Sequence, residues 1–491
     1  MQQTVTSSLR RRAAALPTLA AIVVALASTL VLTLAGCAST AGIAPSAQTL
    51  APAALGLSDT QADAVAADWW QGFGDATLSG LVTRALDGNP SLKAAQARLT
   101  RSQAVVDTAQ AATGVQLNGS FDATRQRFTE NGLYPPPIAG SIRNSATLQA
   151  NVSWEIDFFG RDRAALDAAI GAQRAAQADA QAARVLLASN VARTYVQLAR
   201  LTEQREVAKR SLAQRDEILS LIRQRVQAGL DTKVELRQGE GALPETRAQL
   251  EAIDEQISLA RHSLAALTAQ APQALDQLTP QLKSVQAVPL PANVPADLLG
   301  RRADISAARW RVEAATSDVA SARAQFYPNV NLTAFAGVSS IGFDRLFKTA
   351  SEQYGAGPAI RLPIFDSGRL RANLRGKSAD LDAAVETYNA TVIDAVRDVA
   401  DQISSLQSIV RQQAEQDQAQ AAAESAYEIA VQRYKAGLGT YLVVLNAEAN
   451  VLNQRRSATD LKARALDTQV ALIRSLGGGY AAEVTRTAAV H

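Results

Sequence analysis

Cysteine and histidine are nearly missing from this chain, and their scarcity removes most catalytic and metal-binding chemistry. Among 491 residues there is one Cys, Cys37, and there are two His, His262 and His491. A single thiol makes no intrachain disulfide and no thiolate metal cluster. Two histidines, one terminal and the other on a charged helical stretch, supply neither a histidine metal centre nor a Ser-His-Asp triad. A phosphate-cradling loop is also missing, because the run Gly477-Gly478-Gly479 lacks the Lys and Ser/Thr that must follow. No catalytic residue, no metal site and no enzymatic activity are therefore expected. Blocks of positive charge are absent apart from Arg10-Arg11-Arg12. Without those three, 46 basic residues stand against 46 acidic ones, interleaved along the chain, and nucleic acid is not expected as a partner.

What is present begins at the N-terminus. Arg10-Arg11-Arg12, an apolar run, and then Leu34-Ala35-Gly36-Cys37 form a bacterial secretory leader of the lipoprotein kind, so the mature chain is expected to begin at a lipidated Cys37. The alternative is an uncleaved anchor, since the apolar run is just long enough to span a bilayer. Ala38 follows the Cys in place of an Asp, so the usual mark for retention at the inner membrane is lacking.

The chain also repeats itself. Arg225-Val-Gln-Ala-Gly229-Leu-Asp-Thr232 returns 208 residues later as Arg433-Tyr-Lys-Ala-Gly437-Leu-Gly-Thr440. Phe158-Phe159-Gly160-Arg161 has its counterpart in Phe365-Asp366-Ser367-Gly368-Arg369. A period this long means two copies of one large unit and excludes a short-repeat solenoid. Each copy reads as helix, two strands, long helix, helix. Leu187, Val191, Leu198, Leu201, Ala208, Leu212, Leu219, Ile222 and Val226 recur at spacings of 3, 4 or 7, as do Leu381, Val385, Tyr388, Val392, Val399, Ile403, Leu406 and Val410. Sustained heptads predict supercoiled packing. A helix from Arg163 to Val226 would reach roughly 95 Å at about 1.5 Å per residue. Pro244, inside the following helical stretch, is expected to kink it.

Four segments have a different period. In Leu148-Gln-Ala-Asn-Val-Ser-Trp-Glu-Ile-Asp-Phe158 apolar and polar residues alternate without exception, and 115–124, 330–333 and 353–364 show a similar, less strict alternation. Segments of about ten residues with one apolar and one polar face are the mark of an outer-membrane barrel. On this reading Trp154 and Phe158 face lipid or the aromatic belt, and Gln149, Asn151 and Ser153 face a wet lumen. Four strands cannot cover their own edges in lipid, so three copies sharing a twelve-stranded barrel are expected.

Several motifs resemble the TolC-like outer-membrane efflux proteins, in the lipoprotein branch of the OprM and NodT type. They are Trp69-Trp70-Gln-Gly-Phe-Gly-Asp75, Pro295-Ala-Asp-Leu-Leu-Gly-Arg-Arg302-Ala-Asp-Ile305, Ala324-Gln-Phe-Tyr-Pro328, Leu362-Pro-Ile-Phe-Asp-Ser-Gly-Arg369, Arg433-Tyr-Lys-Ala-Gly437 and Leu476-Gly-Gly-Gly479. One departure is Ala303, where the family usually has Pro. The resemblance implies a mixed α and β membrane protein: a trimeric α-helical barrel, forming a coiled-coil periplasmic tunnel, joined to a twelve-stranded outer-membrane β-barrel with four strands per chain. It implies a leader over 1–36, a lipidated extension and equatorial segment over 37–76, repeats over 77–287 and 303–479, a linker over 288–302 and a tail over 480–491. The implied function is a passive exit channel for drugs or small solutes, localised at the outer membrane. Its implied partners are outer-membrane lipid, a periplasmic adaptor and an inner-membrane pump of the RND type. The alternative is the outer component of a type I protein secretion system, whose members commonly lack the lipid anchor. No cofactor is implied beyond diacylglycerol and an N-acyl chain on Cys37.

The family places its gate at the periplasmic turns. Gly229 and Gly437 are the turn glycines at the adaptor-facing tip. Thr232 and Glu235 spell a capping box. The resemblance adds that Glu235 stands where the family has an acid tying the coils shut, with Tyr434 as its partner. Asn446 occupies the place of an Asp that forms an anionic ring, so the ring is expected to be neutral. Gly439 replaces an Arg found in some relatives.

Overall fold

The computed structural model describes residues 39–51, 65–286 and 298–480. Cys37 and its leader, the Pro-rich linker through Pro295 and the tail from 481 lie outside the described residues. The elements run α1 (Ala76–Gly88), α2 (Pro90–Ala112), β1 (Gln116–Arg127), β2 (Ile142–Ile156), α3 (Arg161–Gln227), α4 (Lys233–Leu267), α5 (Ala303–Ala324), β3 (Asn329–Ile341), β4 (Glu352–Arg361), α6 (Arg369–Lys435) and α7 (Tyr441–Ser475). The repeat is now visible in lengths: α3 and α6 both have 67 residues, and α4 and α7 both have 35. No helix among the described residues is long and apolar enough to cross a membrane.

The helix starts follow from side chains able to satisfy free N–H groups. The carboxylate of Asp75 accepts from the N–H groups of Thr77 and Leu78 at 2.8 and 3.0 Å, opening α1. Asn89 accepts from the Ser91 N–H at 2.8 Å, with Pro90 as the first residue of α2, where its missing N–H costs nothing. Asp157 takes the N–H groups of Arg161, Asp162 and Arg163 at 2.7, 3.0 and 2.8 Å. Asp366 does the equivalent for α6 through Gly368 and Leu370.

These caps also correct one expectation. Strand β2 ends at Ile156, so Phe158 is not a strand residue; Asp157 turns the chain into α3, and Phe159 stacks on Tyr327 with centroids 4.7 Å apart.

The four strands form one antiparallel sheet in the order β1-β2-β3-β4. Leu117 faces Val152, Phe121 faces Leu148, Leu148 faces Val338, and Val330 faces Ile360, so the apolar positions of all four strands share one side. The other side is polar and stitched across strands. Asn151 donates to the Ser120 hydroxyl at 3.4 Å, Gln353 to Gln149 at 3.0 Å, and the hydroxyls of Thr147 and Ser339 meet at 3.0 Å. Two apolar side chains break the pattern on β3: Ile341, opposite Ser145 at the end of the strand, and Phe335, opposite Asn151, whose ring occupies the space over Gly355.

The chain divides into two compact units, one drawing on 39–49, 101–174 and 310–387, the other on 50–51, 65–100, 175–286, 298–309 and 388–480. Each takes segments from both repeats. The first contains the sheet and a core of Ile43, Val319, Phe326, Leu370, Leu374, Leu381 and Val385. The second is built on Trp69, Trp70, Phe73, Leu78, Val191, Tyr195, Leu198, Leu264, Val470 and Ile473. The heptad seam of α3 is buried at Leu187, Val191, Leu198, Leu201, Ala208, Leu219 and Ile222. In α6 the expected seam holds from Leu381 through Leu406 and then slips: Ile409 is fully buried and Val410 is 62 % exposed. A helix turning at 3.6 residues drifts from a strict heptad by about 20° per repeat, so a neighbouring position takes over the seam. Pro244 is on the exposed side of α4 and does not end the helix.

Candidate functional site

The two helical turns expected to carry function are built alike. Gly229 and Gly437 adopt φ of +75° and +73°, the left-handed region that residues with a Cβ avoid. In the first turn the Gly229 N–H reaches the Val226 carbonyl at 3.1 Å and the Leu230 N–H the Arg225 carbonyl at 2.8 Å. In the second, Gly437 and Leu438 bond Tyr434 and Arg433 at 3.1 and 2.8 Å. Both are Schellman ends, which satisfy the last carbonyls of α3 and α6 and reverse the chain.

Between these turns lies a polar network. Arg225 holds Asp231 in a two-pronged pair, Nε to Oδ2 at 2.9 Å and Nη2 to Oδ1 at 3.2 Å. Its third nitrogen, Nη1, donates to the Tyr434 carbonyl at 3.1 Å, and its guanidinium lies 4.6 Å from the centre of the Tyr434 ring. The Tyr434 hydroxyl donates to Asp231. Tyr434 is fully buried, and the Arg225 and Asp231 side chains are 12 % and 10 % exposed. Burial alone would raise the Asp231 carboxyl; hydrogen bonds from Arg225 and Tyr434 outweigh it and hold the group below its ordinary range. Burial, then the hydrogen bond to Asp231, pushes the Tyr434 phenol up, so it stays a donor.

Tyr434 therefore pairs within the chain with Asp231, not with Glu235. Glu235 makes the capping box: its Oε2 accepts from the Thr232 N–H at 2.9 Å and from the Thr232 hydroxyl at 2.5 Å. The Thr232 hydroxyl oxygen accepts in turn from the Val234 N–H at 3.1 Å. The Glu235 carboxylate is engaged at its own helix start, and the acid one position before the cap, Asp231, makes the cross-helix contact. The signal was in the repeat: Asp231 is an acid where the second copy has Gly439, so the turn pair is asymmetric at that position. Asn446 is exposed on α7, two residues from the buried Glu448.

A second ion pair, which no sequence pattern announces, ties three helices together. Arg215 of α3 donates through Nε to Glu448 of α7 at 2.9 Å, and through Nη1 to the Ala242 carbonyl and Thr246 hydroxyl of α4 at 3.0 and 2.8 Å. Burial raises the Glu448 carboxyl, and Arg215 opposes the shift.

The residues that follow Cys37 are held against α6. Arg371 donates to the carbonyls of Ser39 and Ala41, the latter at 3.2 Å. Asp382 accepts the N–H groups of Ser46 and Ala47, each at 2.8 Å, and Ile43 is buried between these two anchors. Ser39 is thus fixed beside the start of α6, the helix that directly follows β4.

The model of the family described as outer membrane efflux protein matches residues 81–282 and 294–478. The fusaric acid resistance protein FusA of Burkholderia cepacia is 36 % identical over 358 residues, 71 % of this chain and 68 % of FusA. The multidrug resistance outer membrane protein MdtQ of Escherichia coli O6:H1 is 32 % identical over 470 residues, 92 % and 97 % of the two chains. Among solved structures, the outer membrane protein VceC of Vibrio cholerae superposes with a TM-score of 0.80 at 37 % identity, over 84 % of this chain and 99 % of VceC. The outer-membrane channel OprN gives 0.78 at 28 % identity, over 90 % and 98 %. With both repeats matched and the helices, sheet and turns in place, the chain belongs to the outer membrane efflux protein family, has the TolC-like fold and is an outer-membrane exit channel for efflux.

Proposed function

We propose that three copies of this chain form one passive duct in the outer membrane, anchored by acyl chains on Cys37, which carries drugs or other small solutes delivered by an inner-membrane pump through a periplasmic adaptor. The observation that carries this reading is the sheet: four strands, one apolar face, one hydrogen-bonded polar face and two uncovered edges. Unpaired backbone groups are not tolerated in hydrocarbon, and closure needs more strands than one chain supplies. Three chains give twelve.

The strap along α6 supports the lipid anchor. It leaves Ser39 beside the helix that enters from β4, so a lipid on Cys37, two residues away, is within reach of the same membrane face as the strands. The relatives' names, for multidrug and for fusaric acid resistance, support small-molecule cargo over protein. The duct performs no chemistry on what passes; its polar network at the turns holds a conformation, and Gly229 and Gly437 shape the tip that meets the adaptor.

Deleting the chain tests the cargo class. Susceptibility to small amphipathic drugs should rise severalfold, with the secreted protein profile unchanged, and re-expression should reverse it. Unchanged drug susceptibility together with a missing secreted protein would replace efflux with protein secretion.

A further inference from the structure

The two edges of the sheet are complementary to each other, and the complementarity fixes one register. On the apolar face the central strands β2 and β3 carry no charge at all. The charges on that face are Arg125 and Arg127 of β1 and Glu352 of β4, on the two edge strands, of opposite sign, and all at the same end of the sheet. Charges facing lipid are costly, and a strand edge is where they can be matched by another chain. Arg127 already has an acid, Glu130, at 3.5 Å. Arg125 and Glu352 have no ion-pair partner among the described residues.

We infer that β1 of one copy pairs antiparallel with β4 of the next so that Arg125 faces Glu352 of the neighbouring copy, and that this ion pair, with matched large and small side chains below it, sets the register of the seam. The inference rests on the shared-barrel reading and adds its residue-level pairing. From the Arg125 pair the rest follows by counting. Ala123 falls opposite Tyr354 of the neighbour, Phe121 opposite its Ala356, and Leu117 opposite its Ile360. Each bulky aromatic thus meets an alanine, and the aliphatic pair closes the other end. Cross-strand neighbours stand about 5 Å apart, where size and charge matching stabilise a ladder and mismatches do not.

The competing registers fail on the same residues. A slip of one residue turns the apolar face of one strand to the polar side. A slip of two in one direction sets Tyr354 against Phe121 and leaves Glu352 facing Ala123. The opposite slip sets Tyr354 against Arg125 and asks Arg127 to leave Glu130. Exposure within the single chain agrees with missing neighbours: Leu117, Phe121, Tyr354 and Ile360 on the edges are 63–84 % exposed, whereas Leu148, Trp154 and Leu332 of the central strands are 40–43 %.

The test uses full-length, membrane-inserted protein and cysteine pairs on the polar face. In the inferred register Asn118 lies opposite Ala359 of the next copy, within the Cα separation of about 4.4 to 6.8 Å that a disulfide spans. The chain carrying Asn118→Cys and Ala359→Cys should link into a covalent ladder of up to three copies on oxidation. The pairs Asn118→Cys with Gly357→Cys and Asn118→Cys with Arg361→Cys report the two slipped registers and should not link. Arg125→Glu should cause loss of heat-resistant oligomer, and adding Glu352→Arg should restore it. Linking by either slipped pair, or an intact oligomer that the 118/359 pair does not link, overturns the register. Protein that is monomeric and links at no pair overturns the shared barrel itself.

Discussion

Removing the Tyr434 hydroxyl is the sharpest test of the turn network. Tyr434→Phe keeps the ring beneath the Arg225 guanidinium and deletes only the bond to Asp231. A hydrogen bond to a charged group at a buried site contributes about 1.5 to 3 kcal/mol. At about 2 kcal/mol per chain, the ratio of open to closed tips rises roughly 30-fold. Asp231→Ala goes further, stripping both prongs from an Arg225 that is only 12 % exposed, and should cost about 3 to 5 kcal/mol. Because both substitutions remove the same contact, the double variant should resemble Asp231→Ala alone, with a coupling near the single Tyr434→Phe value. Planar-bilayer conductance and entry of a bulky antibiotic into cells are the readouts, with thermal stability of the oligomer measured alongside. The dependence on pH has a defined sign. The folded Asp231 carboxyl lies below its ordinary 3.8, so its contribution is full at neutral pH and is lost only as pH falls below about 4. Conductance should stay flat down to that point and rise beneath it, and Tyr434→Phe, which lacks one of the bonds that lower the folded carboxyl, should show a smaller rise. Wild-type conductance in both Tyr434→Phe and Asp231→Ala, with the fold intact, would refute a closing role for the network.

Further outcomes test other parts of the chain. Asn446→Asp should raise cation selectivity in bilayer recordings and create block by trivalent cations, since unit charges 4 Å apart at an effective dielectric near 20 interact by about 4 kcal/mol; Glu235→Ala, which loses a cap and no cross-helix partner, should leave selectivity alone, and an unchanged reversal potential in Asn446→Asp would remove Asn446 from the constriction. Mass spectrometry of the mature N-terminus should find Cys37 as the first residue, with acyl chains attached, in both the wild type and Asp382→Ala; the latter frees the strap and should lower oligomer yield without changing that N-terminal modification, whereas an intact Met1 or a bare Cys37 would end the lipoprotein reading.

The architecture was legible because its signals are local and periodic. Alternation over Leu148–Ile156 can satisfy only a strand with two different faces, and a seam from Leu187 to Ile222 only a helix packed along its length. The turn at Gly229 announced itself through its copy at Gly437. Even the capping box of Thr232 and Glu235 was readable, since both partners lie within one helical turn.

What the sequence by itself determined was therefore which residues share a face: the apolar and polar sides of β1 to β4, the buried stripe of α3, the two-fold repetition of the whole unit. Only the tertiary structure decided who meets whom across elements. It matched Tyr434 with Asp231 in place of Glu235, buried Ile409 instead of Val410, set Phe335 among polar neighbours over Gly355, joined Arg215 to Glu448 across 233 residues, and laid Ser39 to Ala47 along α6. The reason is geometric. A period fixes the angle at which a side chain leaves its own helix or strand, but partnership depends on the stagger and rotation of the neighbour, and a helix that drifts about 20° per heptad changes its partners along the way.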